Sequence, residues 1–316
     1  MLQTAPAGVC ACAQQGEEPR TLADLERLGP VEFLGDSLRV LALIGTELSD
    51  SLISTYNGAA LLMGRGGLAA YQDASMPLNF SSKRTTLRIC AEAPVRLLRS
   101  TRVQNGAPVL CVANGVGDVS LKIQTDGGYD ACAINAMETY DPAPSVGRTT
   151  RAADNVISLS PVRYARRSWD TGDVGTHLND IIADCGQTRR SMLPHVGGDN
   201  AWAVAPNTVS SLITFLAEKG VRHARLVPGD GYVQADIASE ERPQLLDQIL
   251  VITGVRRNFA LDLSQINSAW VTRIGDGSQL EIYRPTGKAV AVLAAVPEDD
   301  PRMWNALLES LPRIRK

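Results

Sequence analysis

Short apolar runs closed by Asn-Gly or Asp-Gly recur along this 316-residue chain, and they recur in the same order twice. Thr101-Arg-Val-Gln-Asn-Gly106 aligns with Thr272-Arg-Ile-Gly-Asp-Gly277. Beyond these, Val109-Leu-Cys-Val falls on Leu280-Glu-Ile-Tyr without a gap, and Gly115 and Gly287 mark the next turn one residue out of step. Each copy therefore reads as strand, turn, strand, turn, strand. Alternating or β-branched runs suit a pleated, half-buried surface, and Asn-Gly supplies the positive φ that tight hairpins need. A match over consecutive positions points to duplication. The expectation is an α+β fold of two tandem structural repeats, each a large antiparallel β-sheet with packed helices.

The repeats divide the chain into a flexible N-terminal tail (1–20), a first repeat (21–138), a linker (139–168) and a second repeat (169–316). Thr21, with Asp24 three residues on, is placed to cap a short helix. In the first repeat, 38–45 reads as a strand closed by glycine, and Asn57-Gly58 as a hairpin turn. Gly64-Arg-Gly-Gly67 lacks the Lys-Ser/Thr of a phosphate loop and reads as a turn. Runs at 85–90, 95–103, 109–113 and 119–124 read as an antiparallel meander, with turns at Asn105-Gly106, Asn114-Gly115 and Asp126-Gly127-Gly128. In the second repeat, 207–220 is an amphipathic helix, and Gly229-Asp230-Gly231 turns a hairpin. Strands follow at 259–263, 269–274, 280–283 and 289–293, and a closing helix begins at Trp304.

Composition narrows the function classes. A net charge of −3 gives no footprint for nucleic acid or an anionic membrane surface. No apolar run approaches the length of about eighteen residues that spans a bilayer, so the protein is not expected to be membrane-embedded. The first twenty residues lack a basic and then apolar leader, and a cytoplasmic location is expected. The six cysteines (Cys10, Cys12, Cys90, Cys111, Cys132, Cys185) form no C-x-x-C pair. Cys10 and Cys12 alone supply too few ligands for a metal, and Cys90 and Cys111 read as small buried hydrophobes. Arg163, Arg166 and Arg167 in the linker read as solvated charge. No nucleophile-elbow motif or histidine cluster suggests a hydrolase.

The stretch from Trp169 to Ala203, between the two repeats, gathers the polar chemistry. It holds His177 and His195, two of the three histidines, with Arg189, Arg190, Trp169 and Trp202. A cleft between packed units is a usual place for a ligand. His195, beyond Pro194, reads as hydrogen-bonded and partly buried, and His223, before a strand, as exposed.

In motif order and spacing the chain resembles the HemS/ChuS-type bacterial haem-utilisation proteins, or haemin-degrading factors. The second half carries most of this: Gly220-Val221, Pro228-Gly-Asp-Gly231, Phe259-Ala-Leu-Asp262, Ala269-Trp-Val-Thr-Arg273, Ile282-Tyr-Arg-Pro-Thr-Gly287 and Trp304-Asn-Ala-Leu with Leu311-Pro312. In the first half Thr86-Leu-Arg88-Ile-Cys90 resembles that family's Asp-Leu-Arg-Leu-Phe. The resemblance implies a haem b cofactor in a cleft, a histidine ligand on the iron, and arginines on the propionates or on an iron-bound oxygen. Arg189 matches the arginine of the family's Leu-Thr-Arg-Gln, and Arg88 and Arg273 match further haem-contacting arginines.

The histidine is out of register. Gly172-Asp-Val174 resembles the family's Thr-Asp-Val, yet Gly175 follows where histidine is expected, and counting back from Arg189 places the ligand at Thr176. His177 lies one residue beyond, a turn of about 100° on a helix. His177 is the leading candidate for the haem iron and His195 the alternative. The function implied is cytoplasmic haem binding in haem uptake and iron acquisition, trafficking haem or degrading it. An inner-membrane haem transporter, and a reductase or haem oxygenase, would be the partners. The alternative is a degenerate scaffold of the same family that has lost haem and binds another ligand or a protein.

Overall fold

The duplicated strand pattern folds into two sheets with one strand order. A computed structural model describes residues 20–45, 47–72, 83–90, 93, 95–100, 107–139, 166–167, 169–172, 174–239, 241–296 and 299–314. The first half contains α1 (Leu22–Leu28), β1 (Val31–Gly35), α2 (Arg39–Ile44), β2 (Ser51–Tyr56), β3 (Ala60–Tyr71), β4 (Arg84–Ile89), β5 (Val95–Ser100), β6 (Val109–Asn114), β7 (Val119–Thr125) and α3 (Gly128–Asn135). The helices α4 (Val174–Ala183) and α5 (Gln187–Met192) follow, then a 3-10 turn at Leu193–His195. The second half continues with β8 (Ala201–Val204), α6 (Thr208–Glu218), β9 (His223–Gly229), β10 (Tyr232–Ala238), β11 (Arg242–Leu246), β12 (Ile249–Thr253), β13 (Arg257–Asp262), β14 (Ser268–Ile274), β15 (Gly277–Tyr283), β16 (Ala289–Ala294) and α7 (Pro301–Glu309).

In the first half the strands run β1-β5-β6-β7-β2-β3, and in the second β8-β14-β15-β16-β9-β10. These are the same order, element for element, with α2 equivalent to α6 and α3 to α7. The register agrees too: one displacement of 171 residues carries Leu98 onto Ala269 and its partner Cys111 onto Ile282. The next strand is exchanged. β4 pairs with β10 of the second half, and β13 pairs with β3 of the first. This reciprocal exchange joins both halves into one sixteen-stranded, mostly antiparallel sheet.

The exchange explains two departures from the sequence reading. Gly64-Arg-Gly-Gly67 is not a turn but the middle of β3, where β13 leaves at Gly64 and β4 joins in parallel at Gly67. The glycines allow the close approach: a Cβ at Gly66 would run into the Lys83 carbonyl oxygen. The meander accordingly holds only for β5, β6 and β7, because β4 departs to the other half. The run at 38–45 forms helix α2 rather than a strand. A short apolar run does not distinguish the two by periodicity. Here Leu38, Leu41 and Ile44 share one helical face and join the first-half core with Leu68. The glycines after Asp126 lead into α3 instead of another strand.

Other local expectations hold. Thr21 and Asp24 form a reciprocal capping box on α1. The Asn57-Gly58, Asn114-Gly115 and Gly229-Asp230-Gly231 turns connect paired strands. The helix expected at 207–220 is α6, and that expected from Trp304 is the greater part of α7. Cys111 is buried and Cys90 half-buried. The Asn105-Gly106 turn, the Thr101–Gly106 motif, Cys10, Cys12 and Arg163 lie outside the described residues. Arg166 and Arg167 are exposed and helical. Among the described residues no helix is long and apolar enough to cross a membrane.

The second-half sheet is covered on both faces. Val271, Leu280 and Ile282 point toward α6 and α7, packing with Leu212, Leu216 and Trp304. Trp270, Leu226, Val233 and Tyr283 point the other way, against Leu178, Ile181 and Ile182 of α4. A face buried under helices has no water to solvate polar groups, so any charge placed there must be paired.

Candidate functional site

Such a charge exists. Glu281 in β15 lies wholly buried on the face that α4 and α5 cover. The two helices form a tight hairpin, reversed by Cys185 and Gly186, both at positive φ (53° and 78°). Leu178, Ile181 and Ile182 anchor α4 to the sheet at helical spacing. This docking carries Arg189 of α5 onto Glu281.

The pair is bidentate. Arg189 Nε and Nη2 donate to the two Glu281 carboxylate oxygens at 2.8 and 2.6 Å. Glu281 also accepts from the Thr272 hydroxyl at 2.6 Å, the Gln279 amide at 2.8 Å and the Tyr283 hydroxyl. Arg189 Nη1 points to His177 Nδ1 at 2.8 Å. Trp169 closes the group: its indole meets the His177 ring edge-on with centroids 4.5 Å apart, and the Arg189 guanidinium lies 4.6 Å from its ring centroid. The Trp169 indole N–H is held by the Arg273 carbonyl at 3.0 Å. Arg190 fixes the other side of α5, stacked over Trp270 and bonded to the Ser268 hydroxyl.

These contacts settle the proton inventory. Burial alone would raise the Glu281 carboxyl, but Arg189 and the hydroxyls of Thr272 and Tyr283 hold it down to about 2. Burial opposes the charge on Arg189, and Glu281 reverses that, holding the guanidinium pKa above its usual value. Burial next to Glu281 pushes the Tyr283 hydroxyl well up, so it remains a donor. A guanidinium has only N–H donors, so His177 Nδ1 accepts. The imidazole is then neutral, with its proton on Nε2.

The predicted residues separate. His177 and Arg189 meet. Arg88 is buried on β4 and reaches the same helix, but through Asn179, whose side-chain oxygen accepts from Arg88 Nε at 3.2 Å. Asn179 lies about 200° around α4 from His177, so Arg88 and His177 meet different sides of the helix. Thr176 shares the Asn179 side, since residues three apart on a helix are neighbours. His177 thus faces away from Arg88 and into the helix–sheet interface. Arg273 lies on the opposite face of its strand from Thr272 and pairs with Glu309 at the end of α7. His195 is exposed rather than partly buried. His223 is buried rather than exposed: it stacks on Trp304, and its Nδ1 is bonded to the Val221 carbonyl at 2.9 Å. Burial, with Arg225 nearby, lowers its pKa to about 3.

The architecture has counterparts among solved structures. The haem-binding protein PhuS of Pseudomonas aeruginosa superposes with a TM-score of 0.72 at 17% identity, over 92% of this chain and 89% of that one. The chain has the PhuS fold. Apo-PhuS gives the same TM-score of 0.72, so the similarity is as great to the empty as to the filled form. ChuS, described as a haem-degrading enzyme of Escherichia coli O157:H7, gives 0.71 at 17% identity over 92% of this chain and 90% of that one. No family model and no curated protein matches the sequence.

Within the PhuS/ChuS fold, the residues that complete this site were not visible as site residues in the sequence. Glu281 interrupts the apolar run Leu280-Glu-Ile-Tyr, and the repeat alignment pairs it with Leu110. That exchange of leucine for glutamate was the available signal. Tyr283 and Thr272 carried none, because tertiary packing alone brings them to α4 and α5; Trp169 lay in the central stretch and Asn179 on α4 itself, without a signal of their roles.

Proposed function

We propose that this chain binds haem b as part of haem uptake and iron acquisition, carrying haem rather than degrading it. The observation that supports the reading is the PhuS/ChuS fold over nearly the whole chain, together with an α4–α5 hairpin that bears His177 and Arg189 beside the exchanged strand bearing Arg88. Haem supplies an iron that needs an imidazole lone pair and propionates that need cations. The residue types suit that need, but the arrangement described does not fit the group. The His177 Nδ1 lone pair is taken by Arg189, its Nε2 carries the proton, and Arg189 is neutralised by Glu281. Arg88 and Asn179 are bonded directly across the β4–α4 junction. Haem binding therefore requires α4 to part from both Arg189 and Arg88. In the cytoplasm this chain would receive haem from an inner-membrane transporter, with a haem oxygenase or a reductase as its further partner.

The same contacts favour a second reading, a PhuS-like scaffold that no longer binds haem and has converted the ligand helix into a structural brace. Titration of the purified chain with haemin separates the two. A sharp Soret band at one haemin per chain supports haem binding, and its loss in His177→Ala identifies the ligand. A Soret band unchanged in that variant moves the ligand elsewhere, with His195→Ala next. No Soret band with micromolar haemin sinks the haem reading. If haem binds, steady decay of the band with ascorbate in air would show degradation rather than carriage.

A further inference from the structure

The exchange of strands leaves a second feature that the His177 site does not use. Four turns, two from each half and equivalent under the duplication, converge at the junction: β2–β3, β6–β7, β9–β10 and β15–β16. They line a cavity of about 290 Å³ that is partly open to solvent. That is close to the lower end of ligand pockets, roughly 300 Å³.

Its walls are unlike in charge. The β15–β16 turn contributes Arg284 and Lys288, the other turns contribute Asn57, Asn114, Asp118 and Asp230, and Arg20 completes the charged lining. Arg284 donates through Nη2 to the Asn57 carbonyl, while its Nε is buried without a hydrogen-bond partner. The Lys288 ammonium makes no salt bridge with a described residue. On the other side, Asp230 accepts from the Asn114 amide at 3.2 Å and from the Cys185 thiol at 3.8 Å. Burial and the neighbouring Asp230 push that thiol up to about 11, so it stays protonated and unreactive. A buried donor and an unpaired cation facing a carboxylate suit a small ligand that is anionic at one end and a donor at the other.

We propose that the cavity on the junction of the two halves is a second binding site, for a small α-hydroxy or α-amino acid. Its carboxylate meets Arg284 and Lys288, and its hydroxyl or amino group donates to Asp230. The site is separate from His177 in chemistry, though Cys185, on the loop joining α4 and α5, belongs to its wall and its carbonyl accepts from the Ala289 N–H at 2.6 Å. This assignment does not depend on haem binding.

The test is isothermal titration of the full chain with L-malate and with L-glutamate, with inorganic phosphate as a probe for anion binding alone. The expected result is one site per chain for at least one of the two acids. Binding should weaken about tenfold or more in Lys288→Ala, the usual order for a lost charge-assisted hydrogen bond. Lys288→Gln keeps the side-chain length and should weaken binding as well, which guards against a folding defect in the alanine variant. His177→Ala should leave binding unchanged. Failure of both acids to bind at millimolar concentration overturns the proposal. So does binding that both Lys288 variants leave intact, or phosphate binding as tightly as the acids.

Discussion

Replacing Glu281 by glutamine tests whether the pair beneath α5 is the brace that the geometry describes. The substitution keeps the shape and much of the hydrogen bonding to Thr272 and Tyr283, but removes the charge that neutralises Arg189. Both side chains of the pair are fully buried. Leaving one member of a buried pair unmatched costs about 3–5 kcal/mol, most of it the penalty of an uncompensated buried charge. The wild-type pH dependence gives an independent measure. The Glu281 carboxyl is lowered from about 4.5 to about 2, which corresponds to stabilisation on the order of 3 kcal/mol. Because the folded-state value is depressed, this stability is fully present above about pH 4.5 and is lost as the pH falls toward 2. Urea denaturation at neutral pH should therefore show Glu281→Gln destabilised by about 3–5 kcal/mol, with a flatter profile than wild type below pH 4.5. The double variant Arg189→Met with Glu281→Gln should recover much of the loss, because no buried charge is then left alone. A loss below about 1 kcal/mol, the range of an exposed pair, would refute the buried brace. So would a double variant that is merely the sum of the two single ones.

Three further outcomes follow from the fold. His223 is held neutral with its pKa lowered to about 3, so stability should fall as the pH drops below about 6.5, the unfolded value. His223→Phe should remove up to one proton from that slope, read from denaturation midpoints between pH 6 and pH 4. Gly66→Ala should cost more than about 1 kcal/mol, because a Cβ there meets the Lys83 carbonyl where β4 joins β3; a neutral effect in a thermal melt would contradict that contact. Asp130 accepts from the Ser49 and Asp50 backbone and from the Ser49 and Ser51 hydroxyls, tying α3 to the start of β2. Asp130→Ala leaves those donors unmatched and should cost about 1–3 kcal/mol in chemical denaturation.

Much of the architecture was legible because strands and turns are local. The turns at Asn57-Gly58, Asn114-Gly115 and Gly229-Asp230-Gly231, the alternation of 269–274 and 280–283, and the capping box at Thr21 each depend on neighbours in sequence, and each formed as read. The duplication was legible for the same reason, and the shared register of β5–β6 and β14–β15 bears it out. The exchange of β4 and β13 was not legible, since a strand's own residues do not say which edge it will join. The glycines of β3 looked like a turn because their purpose, close approach of another chain segment, lies outside their own sequence.

The site divides in the same way. By itself the sequence placed His177 and Arg189 in one stretch between the repeats, with His177 one residue from the position that the family resemblance implies for a ligand. The direction of that displacement was decided only by tertiary structure. It depended on where α4 docks, which Leu178, Ile181 and Ile182 set against the sheet, and on a buried carboxylate at Glu281 that draws Arg189 inward. A side chain's direction is fixed by the surface its helix packs on, and that surface comes from strands remote in sequence, β9, β10, β14, β15 and β16.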